Sequence, residues 1–359
     1  MRRAPLRPWA LATILIAAVA SCGDDDTPTR PAPAPRTYRM GFSSFPPRPD
    51  LNSLVQTIEA WSPRADVGLI LTSPPWDLLL AGHRPDSLVE TNQLGLADYY
   101  RGKGLRVIVS VDPTNGLDRS ADDPALVAAG RSLVEPEIQM LLRHYVTAMD
   151  TLVRPDYLSF SSETNLVRAA APPDLYAALV QVANDAASDV RAVDGAVQLY
   201  STVQVEVAWG RLGAPGAYVG IDQDRSDFPF LDALGLSSYP YLGGFAEPES
   251  IPIDYYTRLV ENDPLPMMVI EGGWSSVTVT LPTSPDHQRR YIVRHSQLLD
   301  EADAVAWFQI TYTDIDLAAW PQPPGAPLSL FAYLGLVDKD FNAKPALSAW
   351  DAIFHRPRP

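Results

Sequence analysis

The chain holds a single cysteine in 359 residues, so no disulfide can form within it, and any exported part must be held by its apolar core. The glycine patterns that cradle phosphates, GxGxxG and GxxxxGK[ST], are missing, which removes the clearest signs of a nucleotide-binding open sheet. HExxH is also missing. His83, His144, His287, His295 and His355 fall in predicted helices or loops with no ligand-like spacing, so neither a metal nor another cofactor is expected. His287 and His295 share one helix and read as a solvated face. No GxSxG elbow marks a serine nucleophile. No repeat of fixed period and no second domain boundary is visible. Positive charge is scarce as well: 28 basic against 43 acidic residues give a net charge of −15. Such a surface repels nucleic acid and anionic polymers and favours a neutral partner.

The apolar stretch from Trp9 to Ala20 is too short to span a bilayer comfortably and follows the basic start Met1-Arg-Arg-Ala-Pro-Leu-Arg7; residues 1–21 read as a secretory signal. The stretch ends in Val19-Ala-Ser-Cys22, which resembles the lipobox of bacterial lipoproteins. That resemblance implies lipid on Cys22, the only membrane contact expected, and a place on the bacterial cell envelope, at the outer membrane or cell surface. Loss of Arg2, Arg3 and Arg7 would leave 25 basic against 43 acidic residues, a net charge of −18. Residues 22–37 run through Asp24, Asp25 and Asp26 into a proline-rich stretch up to Arg36. At about 3.1 Å per residue in extended form it is a semi-rigid tether reaching roughly 40 Å. Residues 38–359 have the length of one large α/β domain, expected as a monomer on its tether.

Within that domain short β-rich runs alternate with longer amphipathic segments. Strands are predicted at Arg39 to Phe42, Val67 to Thr72, Arg106 to Val111, from Tyr157, at Gln198 to Val203, Leu234 to Ser238, Met267 to Ile270 and Ala304 to Gln309. Helices are predicted at Leu51 to Trp61, Ser87 to Tyr100, Pro136 to Leu152, Asp174 to Val193, Ile253 to Glu261, Pro285 to Ala302 and Pro345 to Phe354, with a fragment at Phe230 to Ala233. Eight strands, each followed by helical or loop material, predict a single (β/α)8 TIM barrel.

In such a barrel the groups that act on a ligand project from the C-terminal strand ends. The fourth run ends near Ser162, Glu163 and Asn165, and the seventh ends at Glu271. Two carboxylates thus meet in one cleft, the minimal machinery for cutting a glycosidic bond. The other ends supply Ser43, Ser44 and Phe45; Trp76 and Asp77; Asp112 and Asn115; Gln204, Glu206 and Trp209; Tyr239 and Tyr241; Trp274; and Trp307, Gln309, Tyr312 and Asp314. Aromatic faces stack on sugar rings while amides, hydroxyls and carboxylates satisfy sugar hydroxyls, so the set suits a neutral carbohydrate. Trp61 and Trp350, inside predicted helices, read as core.

These residues resemble glycoside hydrolase clan A, the retaining barrel hydrolases. Leu234-Gly-Leu-Ser-Ser-Tyr-Pro-Tyr241 and Met268-Val-Ile-Glu-Gly-Gly-Trp274 are most similar to the endo-β-1,4-galactanase family, and Gly335 to Ala346 to the closing segment of many such barrels. The resemblance implies an endo-acting hydrolase of a neutral β-linked polysaccharide or oligosaccharide, β-1,4-galactan among them. In it Glu163 is general acid/base with a raised pKa and Glu271 is the nucleophile with a low one. Tyr239 holds Glu271, Trp307 floors the sugar site, and Trp76, Ser162, Asn165, Trp209, Tyr241 and Trp274 contact substrate. The chain departs from the clan in carrying Ser162 where asparagine is usual, and Trp76 and Asp77 where several members place a basic residue. Two further uses of the cleft stay open: glycan binding without cleavage, and transfer to a sugar acceptor in the cell envelope.

Overall fold

The computed structural model describes residues 34–212, 216–279, 281–321 and 328–358. Its strands are Arg39–Ser43 (β1), Val67–Thr72 (β2), Arg106–Val111 (β3), Tyr157–Ser159 (β4), Gln198–Gln204 (β5), Ala233–Ser238 (β6), Met267–Gly272 (β7) and Ala306–Gln309 (β8). Each strand pairs in parallel with its successor in sequence, and β8 closes on β1 with Gly41 opposite Phe308. The protein is a closed eight-stranded parallel barrel, the single (β/α)8 architecture that the alternation predicts.

Strand alternation divides the apolar residues into two layers. Val67, Leu69, Ile108, Tyr200, Met268 and Phe308 pack together inside the barrel. At Gly41 a Cβ would lie 2.0 Å from the Val67 carbonyl oxygen and 3.0 Å from the Phe308 ring, so only glycine lets β1 pass this filling. Neighbouring residues turn outward to the helices. Phe42 packs on Trp350 at 4.5 Å and on Trp61 at 5.8 Å between ring centroids. Both tryptophans are fully buried, as their helical positions predict.

Helix starts follow local chemistry. Asp50 caps Leu51–Trp61 by accepting from the Ser53 amide at 2.9 Å. Proline opens Pro136–Ala148, Pro173–Val193, Pro285–Glu301 and Pro345–Phe354, where the missing N–H has no helical partner to lose. Three segments differ from expectation. The helix predicted at Ser87 to Tyr100 runs from Pro85 to Gly102 through a π-helical turn at Glu90–Leu94. Ile253 to Glu261 is not an α-helix but turns and a 3-10 segment, Thr257–Val260, because the adjacent Tyr255 and Tyr256 are both drawn inward to hydrogen-bond Glu206 and Ser238. Phe230 to Ala233 is not helical, since Ala233 already opens β6.

The folded unit runs from Pro35, slightly earlier than the expected boundary at residue 38. Arg36 donates to Asp66 at 2.7 Å and to the Tyr38 carbonyl at 2.6 Å, and Thr37 donates to the Ala304 carbonyl at 3.1 Å. Two residues assigned to the tether are therefore pinned to the barrel. The signal, Cys22 and the tether up to residue 33 lie outside the described residues.

Candidate active site

Glu163 follows β4 by four residues and begins the helix Thr164–Ala170 in a left-handed conformation, φ +45° and ψ +48°. That conformation costs an L residue about 1–2 kcal/mol, so its surroundings must enforce it. The Glu163 amide donates to Thr202 Oγ1 at 2.7 Å, and its carbonyl accepts from the Leu166 and Val167 amides at 2.8 and 3.0 Å. Asn165 braces the same turn. Its Nδ2 donates to the Gln204 carbonyl and its Oδ1 accepts from the Gln204 amide, both at 2.8 Å.

Glu271 is aimed by an irregularity in β7. Met268 and Ile270 both pack inside the barrel, so strict alternation would turn Glu271 toward the helices. Between β6 and β7 the register slips: Leu236 pairs with Val269, but Ser237 pairs with Glu271. The additional residue is a bulge that returns the Glu271 side chain to the cleft.

Both carboxylates line one cleft of about 800 Å³ at the C-terminal strand ends, with Asp112, Arg119 and Tyr239 beside them. Arg119 lies on the loop after β3, and its side chain is 5% exposed. Its Nε donates to Glu163 Oε2 at 2.9 Å, and its Nη1 donates to Asp112 Oδ2 at 2.6 Å and to Thr114 Oγ1 at 3.0 Å. Burial alone would lower the guanidinium pKa, but Asp112, Glu163 and Glu271 raise it, so Arg119 remains a cation. The Tyr239 hydroxyl donates to Glu271 Oε2 at 3.4 Å, and burial followed by the nearby glutamates keeps it a phenol.

Tyr239 is itself held by a buried hub. Glu206 is fully buried and accepts from the Tyr239 amide at 3.0 Å, Tyr255 Oη at 2.9 Å, Ser238 Oγ at 3.2 Å and Gln204 Nε2 at 2.5 Å. Burial raises its pKa to about 6 against the pull of these donors. Tyr256 extends the network from Ser238 to His295 Nε2. His295 is therefore not on a solvated face: it is fully buried, and burial lowers its pKa to about 3, which keeps it neutral.

Electrostatics single out Glu271. Burial, then the charge of Glu163, raises Glu271 to about 8, with Arg119 acting in the opposite sense. The resemblance implies a low Glu271, whereas burial in this cleft raises it. A stability effect follows. An unfolded Glu271 would lose its proton near 4.5, whereas the folded one keeps it to about 8. The native state then holds the additional proton between those values, and stability falls as pH rises through the window. Wild-type Tm should decline from pH 5 to pH 8 more steeply than that of Glu271→Gln, measured by calorimetry. Parallel curves would remove Glu271 as the titrating group.

Of the residues assigned to the site, Glu163, Glu271 and Tyr239 line the cleft; Trp76, Ser162, Asn165, Trp209, Tyr241, Trp274 and Trp307 do not. Trp307 is corrected from sugar floor to core. Its neighbours Ala306 and Phe308 face the barrel interior, so its ring faces the helices, 4.6 Å from Trp350 and 4.8 Å from His295. Trp274 is buried with Nε1 donating to Thr283 Oγ1, and Trp76 is buried at the head of Trp76–Leu80. Trp209 stacks on Tyr255 and donates to its carbonyl, while Tyr241 Oη donates to the Leu330 carbonyl. Asn165 is spent on Gln204, and Ser162 is buried beside Glu163 outside the lining. Cleft residues not singled out in the sequence include Arg119, Phe331 and Trp320, whose ring stacks on Phe45 at 4.5 Å. Arg119 and Trp320 occupy long loops without periodicity and Phe331 ends the four-residue helix Leu328–Phe331, and neither setting carries a sequence signal. Among the described residues, no group of three or more His, Cys, Asp or Glu could hold a metal ion.

No family model matches the chain, and no curated protein sequence matches it. Solved structures do. An exo-β-1,4-mannosidase from Opitutaceae bacterium strain TAV5 is 15% identical, with a TM-score of 0.65 over 89% of this chain and 59% of that one. A family 39 glycoside hydrolase from Bacteroides cellulosilyticus WH2 is 17% identical, with a TM-score of 0.56 over 90% of this chain and 65% of that one. The virulence factor SghA from Agrobacterium tumefaciens is 10% identical, with a TM-score of 0.59 over 85% of this chain and 86% of that one. The chain spans less than two thirds of the length of the first two. At these identities the likeness establishes the barrel fold.

Proposed function

We propose that the protein is a retaining glycoside hydrolase acting on a neutral β-linked substrate by double displacement. The observation that carries this reading is the juxtaposition of Glu163 and Glu271 in one cleft, from the ends of β4 and β7. One proton on two carboxyls is the count the chemistry needs: an acid for the leaving oxygen and an anion to attack the anomeric carbon. Glu271 is the nucleophile and Glu163 the acid/base. On substrate binding the proton passes from Glu271 to Glu163, the Tyr239 hydroxyl supports the carboxylate left behind, and Glu163 then protonates the departing oxygen. After the glycosyl-enzyme forms, Glu163 takes a proton from water and the ester to Glu271 is hydrolysed.

The glycoside hydrolase names among the similar barrels support this class of reaction. β-1,4-Galactan, export and anchoring through Cys22 rest on the sequence motifs alone. Anomeric configuration tests the mechanism. Proton NMR of a β-glycoside during turnover should show the β-sugar first, with the α form appearing only by mutarotation; an α-sugar as first product would contradict double displacement.

A second reading has one observation in its favour. The ion pair between Arg119 and Glu163 occupies the acid/base carboxylate, as in a cleft that binds glycans without cutting them. Saturable glycan binding with no product from any glycoside would select it.

A further inference from the structure

We infer that the bond cut in this cleft joins a sugar to an apolar aglycone, an alkyl or aryl group, rather than to a further sugar; the inference rests on the hydrolase reading above. The cleft is divided in chemistry. Its charged groups Asp112, Arg119, Glu163 and Glu271 lie together with the Tyr239 hydroxyl on the floor, the part suited to a sugar ring. The wall over β8, β1 and β2 is formed by Phe45, Leu54, Leu71, Ile315, Trp320 and Phe331.

Of the polar groups on that wall, Ser43, Thr72 and Asp50 are already engaged, whereas Thr311 Oγ1 is buried without a protein partner. Ser43 Oγ donates to the Ile310 carbonyl at 2.5 Å. Thr72 Oγ1 donates to the Ser73 carbonyl at 3.2 Å and accepts from Gln93 Nε2 at 3.1 Å. The two Asp50 carboxylate oxygens accept from the amide and hydroxyl of Ser53. A second sugar laid here would surrender hydroxyl–water bonds with few replacements, which disfavours it. An apolar group would instead gain from leaving water.

The mouth continues the same character. Leu51 is 71% exposed and Leu117 is 38% exposed, and both line the cleft. Exposed leucines at a cavity entrance are a surface suited to an apolar ligand that extends outward. Trp76, Trp209, Trp274 and Trp307 lie outside the cleft, which leaves Trp320, stacked on Phe45, as the one tryptophan in its wall among the described residues, and a cleft of about 800 Å³ is the size of a site for a compact ligand.

The test uses the full chain with β-glycosides of glucose, galactose, mannose and xylose, each as methyl, butyl, hexyl, octyl and phenyl glycoside and as a disaccharide, below micelle-forming concentrations. Sugar release gives kcat/KM, and calorimetry gives the affinity of the corresponding alkyl thioglycosides, which are not cleaved. On the sugar that is accepted, kcat/KM and affinity should each rise about threefold to fourfold per methylene until the wall is covered. The octyl or phenyl glycoside should exceed the disaccharide at least tenfold, the better of the two telling a chain-like from a ring-like aglycone. Leu54→Asn and Leu117→Asn, with Tm checked, should flatten the dependence on chain length. Sugar release with no gain from the aglycone, or with the disaccharide preferred, overturns the inference and leaves the hydrolase reading standing. Affinity that rises with chain length but no release from any glycoside overturns the hydrolase reading and keeps the apolar site. Neither release nor binding overturns both.

Discussion

Glu271→Gln is expected to abolish turnover of every glycoside the protein accepts, whereas Glu163→Gln should do so only for substrates whose leaving group needs a proton. The asymmetry follows from the assigned roles. Without the Glu271 carboxylate no glycosyl-enzyme forms, and a glutamine amide does not replace it. Without Glu163 the loss is that of general acid catalysis, about 10²–10⁴-fold on alkyl glycosides. A nitrophenyl glycoside, whose leaving group departs unprotonated, should still give a burst of phenol from the Glu163 variant, followed by slow release of sugar. Azide, attacking the accumulated intermediate without base assistance, should accelerate that second step. Equal loss on all substrates in both variants would argue against separate roles, and unchanged activity in either would remove that carboxylate from the chemistry.

Arg119→Met should cost about 3–5 kcal/mol of stability, because removing one member of a buried ionic cluster strands the others. Asp112 and Glu163 would face one another in the cleft without the guanidinium that now bridges them at 2.6 and 2.9 Å. Arg119 also opposes the rise in the Glu271 pKa, so its removal should push the ionisation of Glu271, and with it the alkaline limb of kcat/KM, upward from about 8. A structural role alone would lower Tm without moving that limb. Arg119→Lys keeps the charge and should keep the limb, while losing the two-sided fork that reaches both acids. Urea melts at several pH values and a pH profile of the variants separate these outcomes.

How far the fold could be read in advance depends on how local its causes are. The runs Val67–Thr72 and Arg106–Val111 are continuous β-branched and apolar segments bounded by polar or glycine residues, and the strands match them end to end. Prolines fixed the starts of four helices for an equally local reason. Ile253 to Glu261 has a helical apolar pattern, yet the distant Glu206 and Ser238 claim Tyr255 and Tyr256, and that tertiary demand prevails. His295 was legible but misread. It stands four residues after Tyr291 and seven after Gln288, both buried, so helical spacing alone places it on the inner face.

The site divides along the same line. Carboxylates at the ends of apolar runs are visible because a barrel's strand ends converge, and Glu163 and Glu271 were found in that way. Glu271 was found despite its local geometry, since the bulge that aims it leaves no mark in Met267 to Gly272. The tryptophans mislead because a ring near a strand end is as free to turn toward the helices as toward the cleft, as Trp307 does. Arg119 and Trp320 were invisible for the opposite reason: each is brought to the cleft by a loop path. The end of β2 offers no basic residue, and the guanidinium beside Glu163 arrives from the β3 loop.

The most direct measurement is the identity of the residue that carries the sugar during turnover. A 2-deoxy-2-fluoro β-glycoside with a good leaving group slows both steps and allows the intermediate to accumulate, after which protease digestion and mass spectrometry locate the adduct. One glycosyl unit on the peptide that contains Glu271, absent in Glu271→Gln, is the predicted result. An adduct on Glu163, or rapid turnover with no adduct and an inverted first product, would contradict it.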